Sequence, residues 1–129
     1  MNDEIQIKEL VSRYVKAIET QDKESFYQIW ANNSNCILIS ITKIFEGKDS
    51  IYQDFLIGSI QKAFTTIKLI AEEVEVHQIN SELATVVFSY HTECIKREDG
   101  SEYGIKGLET QVIIKENGQW KILHVHYSK

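Results

Sequence analysis

The sequence has no proline, six glycines, one methionine and two cysteines. The first two scarcities exclude collagen-like, Pro-rich and low-complexity chains, and two cysteines cannot staple a small disulfide-rich secreted domain. Cys36 and Cys94 lie far apart and outside any CxxC-type spacing, so both read as reduced, buried thiols. Positive charge is not in excess either: 14 basic against 19 acidic side chains leave a net charge of −5. That overall field attracts neither nucleic acid, an anionic membrane nor a polyphosphate. No apolar run approaches the ~20 residues that span a bilayer, and the charged N-terminus lacks signal-peptide character, so a cytoplasmic location is expected. A Gly-rich phosphate loop and a Gly-x-Ser-x-Gly elbow are also missing, and no histidine neighbours either cysteine, so nucleophilic catalysis has no motif.

What the chain does contain is an ordinary globular composition, 43% apolar and 26% charged over 129 residues, enough for one domain spanning 1–129 around one core. There is no repeat and no linker. Asp3 can cap a helix with Gln6 three places on, and Ile7, Leu10, Val11, Tyr14 and Ile18 repeat at three and four, which predicts an amphipathic helix over 3–20. Asp22 is a second cap, and Phe26, Ile29 and Trp30 give a short helix ending at Asn32-Asn33. The β-branched run from Cys36 to Ile41 predicts a strand and Gly47 a turn. Ile51, Phe55, Ile60 and Phe64 then support a third helix capped near Asp49.

From Thr66 the period changes. Segments 66–79, 83–97, 103–115 and 119–127 are β-rich and separated by Asn80-Ser81, Asp99-Gly100 and Asn117-Gly118. The last two pairs favour tight hairpins because both positions take positive φ cheaply. Helices first and an antiparallel meander afterwards predict an α+β domain, its helices covering one face of a curved sheet. On the penultimate strand Glu109, Gln111 and Ile113 share one face and Thr110, Val112 and Ile114 the other. Both faces are fairly apolar, as expected when one packs helices or a pocket and the other meets a partner subunit. A homodimer through the outer sheet face is therefore expected.

The run Leu10-Val11-Ser12-Arg13-Tyr14-Val15-Lys16-Ala17-Ile18, then Asp22, the Phe45-Glu46-Gly47-Lys48-Asp49 turn and above all Gly118-Gln119-Trp120-Lys121-Ile122-Leu123-His124-Val125-His126-Tyr127-Ser128 resemble the nuclear transport factor 2-like superfamily. With Leu108-Glu109-Thr110-Gln111-Val112, this ending is most similar to the SnoaL-like group and to the association domain of calcium/calmodulin-dependent kinase II. The resemblance implies a cystatin-like cone: a strongly bent, mostly antiparallel sheet wrapped around the long first helix, with two shorter helices, open at one end into a pocket. It also implies dimers or larger rings formed through the outer face.

Ketosteroid isomerases of the same superfamily carry a helix-one tyrosine in a context matching Arg13-Tyr14-Val15, and a protonated acid at about the place of Glu109. Their aspartate base falls near Leu38, where Ile37, Leu38 and Ile39 offer no proton acceptor, so that mechanism is not expected. The pocket arginines of the kinase association domains fall at Tyr90, Gln111 and Tyr127, so a small acidic ligand is not expected either.

The candidate chemistry rests on Glu109 and Tyr14. A carboxyl among apolar neighbours has its pKa raised by desolvation and can exchange a proton near neutral pH, and Tyr14 on the core face of the first helix would complement it. A purely structural partner for Glu109, and a core role for Tyr14, are the commoner fates of such residues. Phe26, Trp30, Ile51, Tyr52 and Phe55 would wall the pocket together with Tyr90, Gln111 and Tyr127, making it neutral and suited to a flat or apolar ligand. The same stripe also serves as core filling. His124 and His126 share a strand face but lack a third metal ligand. His91 lies opposite Tyr90 in alternation and could act as a base, as could Glu93, where a bulge turns the strand inward.

Two functions follow. One is a cytoplasmic, homo-oligomeric module that binds a small apolar or aromatic molecule. The other is a cofactor-free isomerase, cyclase or dehydratase in which Tyr14 and Glu109 polarise a carbonyl and His91 or a water moves the proton.

Overall fold

The first helix, α1 (Asp3–Thr20), follows from its apolar stripe: Ile7, Leu10, Val11, Tyr14, Ala17 and Ile18 are all buried. In the computed structural model, which describes residues 2–32 and 35–129, the cap differs from the expected one. Asn2 takes the extended cap conformation and accepts from Glu4 N at 2.8 Å. Asp3 is already helical, and its carboxylate reaches across to the sheet instead, taking hydrogen bonds from Trp120 Nε1 (3.1 Å), Lys115 Nζ (3.2 Å) and Gln78 Nε2 (3.0 Å). Gln21, in the left-handed region, ends the helix. Asp22 caps α2 (Lys23–Ile29) by accepting from Ser25 N at 3.0 Å, as its sequence position suggests. That helix stops at Ile29, before the expected Asn32-Asn33, of which Asn33 lies outside the described residues.

The next segment forms β1 (Ile37–Ile39), a short β2 (Ile44–Glu46) and one helical turn, α3 (Lys48–Ser50). That turn continues as a π-helix over Ile51–Gln61. The step of five from Phe55 to Ile60 matches i to i+5 bonding, which an α-helical reading passes over. Phe64, expected on this helix, instead begins β3 (Phe64–Asn80), because the strand pairing starts there, opposite Lys96.

The second half is the expected meander: β3, β4 (Leu83–Lys96), β6 (Lys106–Glu116) and β7 (Gln119–Tyr127). Its third strand is broken, since β5 (Glu102–Tyr103) is a separate short piece on β4. The Asn117-Gly118 hairpin holds both residues at positive φ, 51° and 79°, the conformation that pair favours. The sheet order is β2-β1-β7-β6-β4-β3, and β1 runs parallel to β7, so the sheet is mixed. Register shifts between Glu72 and Glu75 on β3, where Glu73 has φ 50°, and at Val112/Ile113 on β6 mark bulges that bend the strands.

The curled sheet wraps α1, which packs on β3 and β7. Glu109, Gln111 and Ile113 face inward and are buried, whereas Leu108 and Thr110 on the opposite face are exposed. The C-terminal tail closes over β6: Ser128 N donates to Leu108 O, and a Cβ on Gly107 would lie 1.9 Å from Ser128 O, so only glycine fits there. Cys36 and Cys94 are buried, and the Cys36 thiol donates to Ala31 O at 3.2 Å. No helix of the described residues is long and apolar enough to cross a membrane.

Candidate ligand-binding and active site

At one end of the wrapped sheet the strands and α1 diverge and leave a cavity of about 190 Å³. Tyr14 and Ile18 come from consecutive turns of α1, Phe55 and Ile60 from the π-helix, Ile67 and Leu69 from β3, Tyr90, Thr92 and Cys94 from β4, Glu109 from β6 and Tyr127 from β7. Phe64, Tyr103 and Ile105 complete the wall, with the Phe64 and Tyr103 rings stacked 5.6 Å apart. Among the described residues the lining holds one carboxyl and no lysine, arginine or histidine.

Glu109 is 2% exposed, opposite Phe88 on β4 and Tyr127 on β7. Burial pushes its pKa up to about 8, and hydrogen bonding from Gln111 and Tyr14 only partly opposes that rise. Gln111 Nε2 donates to Glu109 Oε2 at 2.8 Å, while the buried Gln111 Oε1 has no partner. The acid is therefore mostly protonated at neutral pH, a donor in an apolar chamber. Burial, and next the nearby Glu109, raise the Tyr14 hydroxyl well above its ordinary value. Tyr90 is pushed up to about 12 by the same two causes, and its hydroxyl donates to Ser128 O at 2.8 Å. Burial likewise raises Tyr127, whose ring meets Tyr90 edge-on at 6.0 Å and Phe55 at 6.2 Å. Such a site can hold a neutral molecule and hydrogen-bond an acceptor atom; it has nothing with which to neutralise an anion.

Tyr14, Glu109, Phe55, Tyr90 and Tyr127 are thus brought together as the sequence suggests, with Gln111 directly behind the acid. Five expected wall residues are not in the wall, Gln111 among them, since it reaches the site only through its bond to Glu109. Phe26 and Ile51 are fully buried core residues, Trp30 is buried just past the end of α2 and borders a separate groove, and Tyr52 packs on Phe26 at 5.9 Å and on Tyr27 at 5.5 Å. His91 stands on the outer face, its Nδ1 2.6 Å from Glu72 and its Nε2 3.5 Å from Glu93, and these carboxylates raise its pKa. No bulge reverses β4 there, so alternation carries it away from Tyr90 and the cavity. His124 and His126 also face outward, opposite Val112 and Thr110, and the described residues hold no group of three potential metal ligands. Leu38 is buried beside Val125 and Phe45, and no second acid occupies its place.

Several lining residues carried a readable signal. Thr92 and Cys94 share Tyr90's face by alternation, and Ile18 sits one turn from Tyr14. Tyr103 and Ile105 had none, because the break between β5 and β6 places them.

A SnoaL-like domain model matches residues 7–129, and the chain belongs to that family. The fold recurs in a nuclear transport factor 2-like superfamily protein from Salmonella enterica, with 26% identity, a TM-score of 0.89 and coverage of 98% of this chain and 88% of the other. It recurs in a hexachlorocyclohexane dehydrochlorinase from Novosphingobium barchaimii (10% identity, TM-score 0.85, 97% and 84% covered). A protein assigned as a calcium/calmodulin dependent protein kinase II association domain, from Xanthomonas campestris, is also similar (17% identity, TM-score 0.78, 95% and 84% covered). At these last two identities the likeness is one of fold. No protein of curated function matches the sequence.

Proposed function

We propose that this SnoaL-like domain binds a small, uncharged, largely apolar molecule that presents one hydrogen-bond acceptor to Glu109 and Tyr14. The carrying observation is a buried acid, its pKa near 8, in an apolar cavity without a cation. A cavity of about 150 Å³ admits benzene, so the 190 Å³ here suits one ring with a short substituent. Titration with single-ring ketones, enones and phenols at neutral pH tests this by thermal shift. Saturable binding that survives Glu109→Gln, without turnover, supports a binding module. A panel with no binder sinks the proposal.

One observation favours a catalytic reading: a carboxyl that titrates near neutrality is matched to proton transfer. Its sign would be turnover of an enone or ketone with a bell-shaped pH profile that disappears in Glu109→Gln.

We further propose that the outer face forms a homodimer. Leu108, exposed at 57%, continues into the half-buried Val87, Val112 and Ile114 on the side turned away from the helices. Light scattering should give twice the 14.9 kDa chain mass, and Val112→Arg should halve it. Two buried cysteines suit a reducing cytoplasmic setting.

A further inference from the structure

A groove lined by α2, which shares no lining residue with the cavity, combines two features that stand out in an acidic chain. Lys48 and Lys121 line it together with Trp30. Arg13 lies near enough to Lys121 that it and Lys48, after burial, lower the lysine's pKa. Among the described residues no ion pair involves Arg13, Lys48 or Lys121. The ammonium groups rest on neutral oxygens: Lys48 Nζ donates to Asn32 Oδ1 at 2.9 Å and to Tyr27 O at 3.4 Å, and Lys121 Nζ donates to Gln28 O.

Each nearby carboxylate, including Asp22 and Glu24 of the groove lining, has a hydrogen-bond donor other than these ammonium groups. Asp22 caps α2 through Ser25 N, Glu24 accepts from Gln28 Nε2, Asp49 accepts from the Tyr27 hydroxyl and Glu116 accepts from Asn32 N. The second feature is the indole of Trp30. The residue is 1% exposed, and Nε1, its only polar side-chain atom, has no hydrogen-bond partner. A buried donor left unpaired costs free energy that a ligand oxygen would recover. The other tryptophan differs, since Trp120 Nε1 is paired with Asp3.

We propose that this groove binds a small oxyanion, a phosphate or a carboxylate, through the Lys48 and Lys121 ammonium groups and the Trp30 indole N–H. Two ammonium groups supply charge without a fixed fork, and the indole supplies the directional donor. The net charge of −5 does not oppose this, because screening confines the field to local charges, and the groove lining carries three lysines, Lys23, Lys48 and Lys121, against two acids, Asp22 and Glu24. This site is separate from the apolar cavity and independent of what that cavity holds.

The two indole N–H resonances provide the test, with Trp120 as the internal control. Inorganic phosphate and acetate are titrated in turn into the full chain at constant ionic strength. The expected result is a saturable downfield shift of the Trp30 indole proton with Trp120 unmoved, and affinity about tenfold lower in Lys121→Met or Lys48→Met. Saturation by phosphate alone assigns a phosphate site, and saturation by both assigns a general oxyanion site. A Trp30 signal indifferent to both anions in the wild-type chain overturns the proposal, as does a shift unchanged in both lysine variants.

Discussion

Two carboxylates at opposite ends of the sheet show how the same group is given opposite characters. Asp3 sits at the closed end with three donors on it, from Gln78, Trp120 and Lys115, and those hydrogen bonds hold its pKa below the usual value. Glu109 sits at the cavity end with an amide and a phenol for company, and burial takes its pKa up to about 8. Burial decides the outcome first and donor supply second: Asp3, partly solvated and with three donors, keeps its charge and ties α1 to β6 and β7. Glu109, cut off from water and with two donors, keeps its proton and remains available to a ligand.

The largest effect that would break this comparison is on the pH dependence of stability. The unfolded Glu109 carboxyl ionises near 4.5, whereas the folded one keeps its proton to about 8. Stability from this group is therefore complete below pH 4.5 and falls as pH rises to 8, by up to about 5 kcal/mol. Denaturant unfolding between these pH values should show the fall, and Glu109→Gln should remove it. An equal slope in both proteins would show that Glu109 is not desolvated.

A middle-sized effect separates the packed half of the cone from the hollow half. Ile113 is fully buried two residues beyond Gln111 and does not line the cavity, so Ile113→Phe should cost about 1–3 kcal/mol. Leu69 borders the cavity, and Leu69→Phe should be accommodated at less than about 1 kcal/mol while abolishing ligand binding. Unfolding curves and the ligand titration together check the pair. Equal costs at the two sites would mean that the cavity is not open to side chains.

The smallest effect lies at Asp3. Its folded pKa is lowered, so its contribution is present above pH 3.8 and lost as pH falls through the lower folded value. Asp3→Asn should lower stability above pH 5, where the charged carboxylate contributes, and flatten the acid limb as the two proteins converge at low pH. A profile identical to wild type would show that the three donors add nothing.

Much of this was legible. The stripe from Ile7 to Ile18, the Asp22 cap and the Asn117-Gly118 hairpin are local signals, and the structure keeps all three. Alternation on β6 placed Glu109 and Gln111 inward because its register shift leaves those two positions in phase. The cap at Asp3 was misread because Asn2, one residue earlier, has equal capping power and the carboxylate found stronger partners far along the chain. The aromatic wall was half right: Phe55 points into the cavity, but Phe26 and Trp30 share a helical stripe that looks the same whether it meets a void or another helix.

By itself the order of residues determined the helices, the hairpins, the inward face of β6 and the family, since each depends on contacts within a few positions or on a recurring pattern. Only the tertiary structure decided which inward side chains meet empty space, that β1 joins β7 in parallel, and that His91 looks outward to Glu72. It also decided that Asp3 is clamped by three donors while Glu109 is cut off from water. These outcomes rest on how far the bulged strands diverge from α1, a sum of small bends along the whole sheet that no single segment encodes.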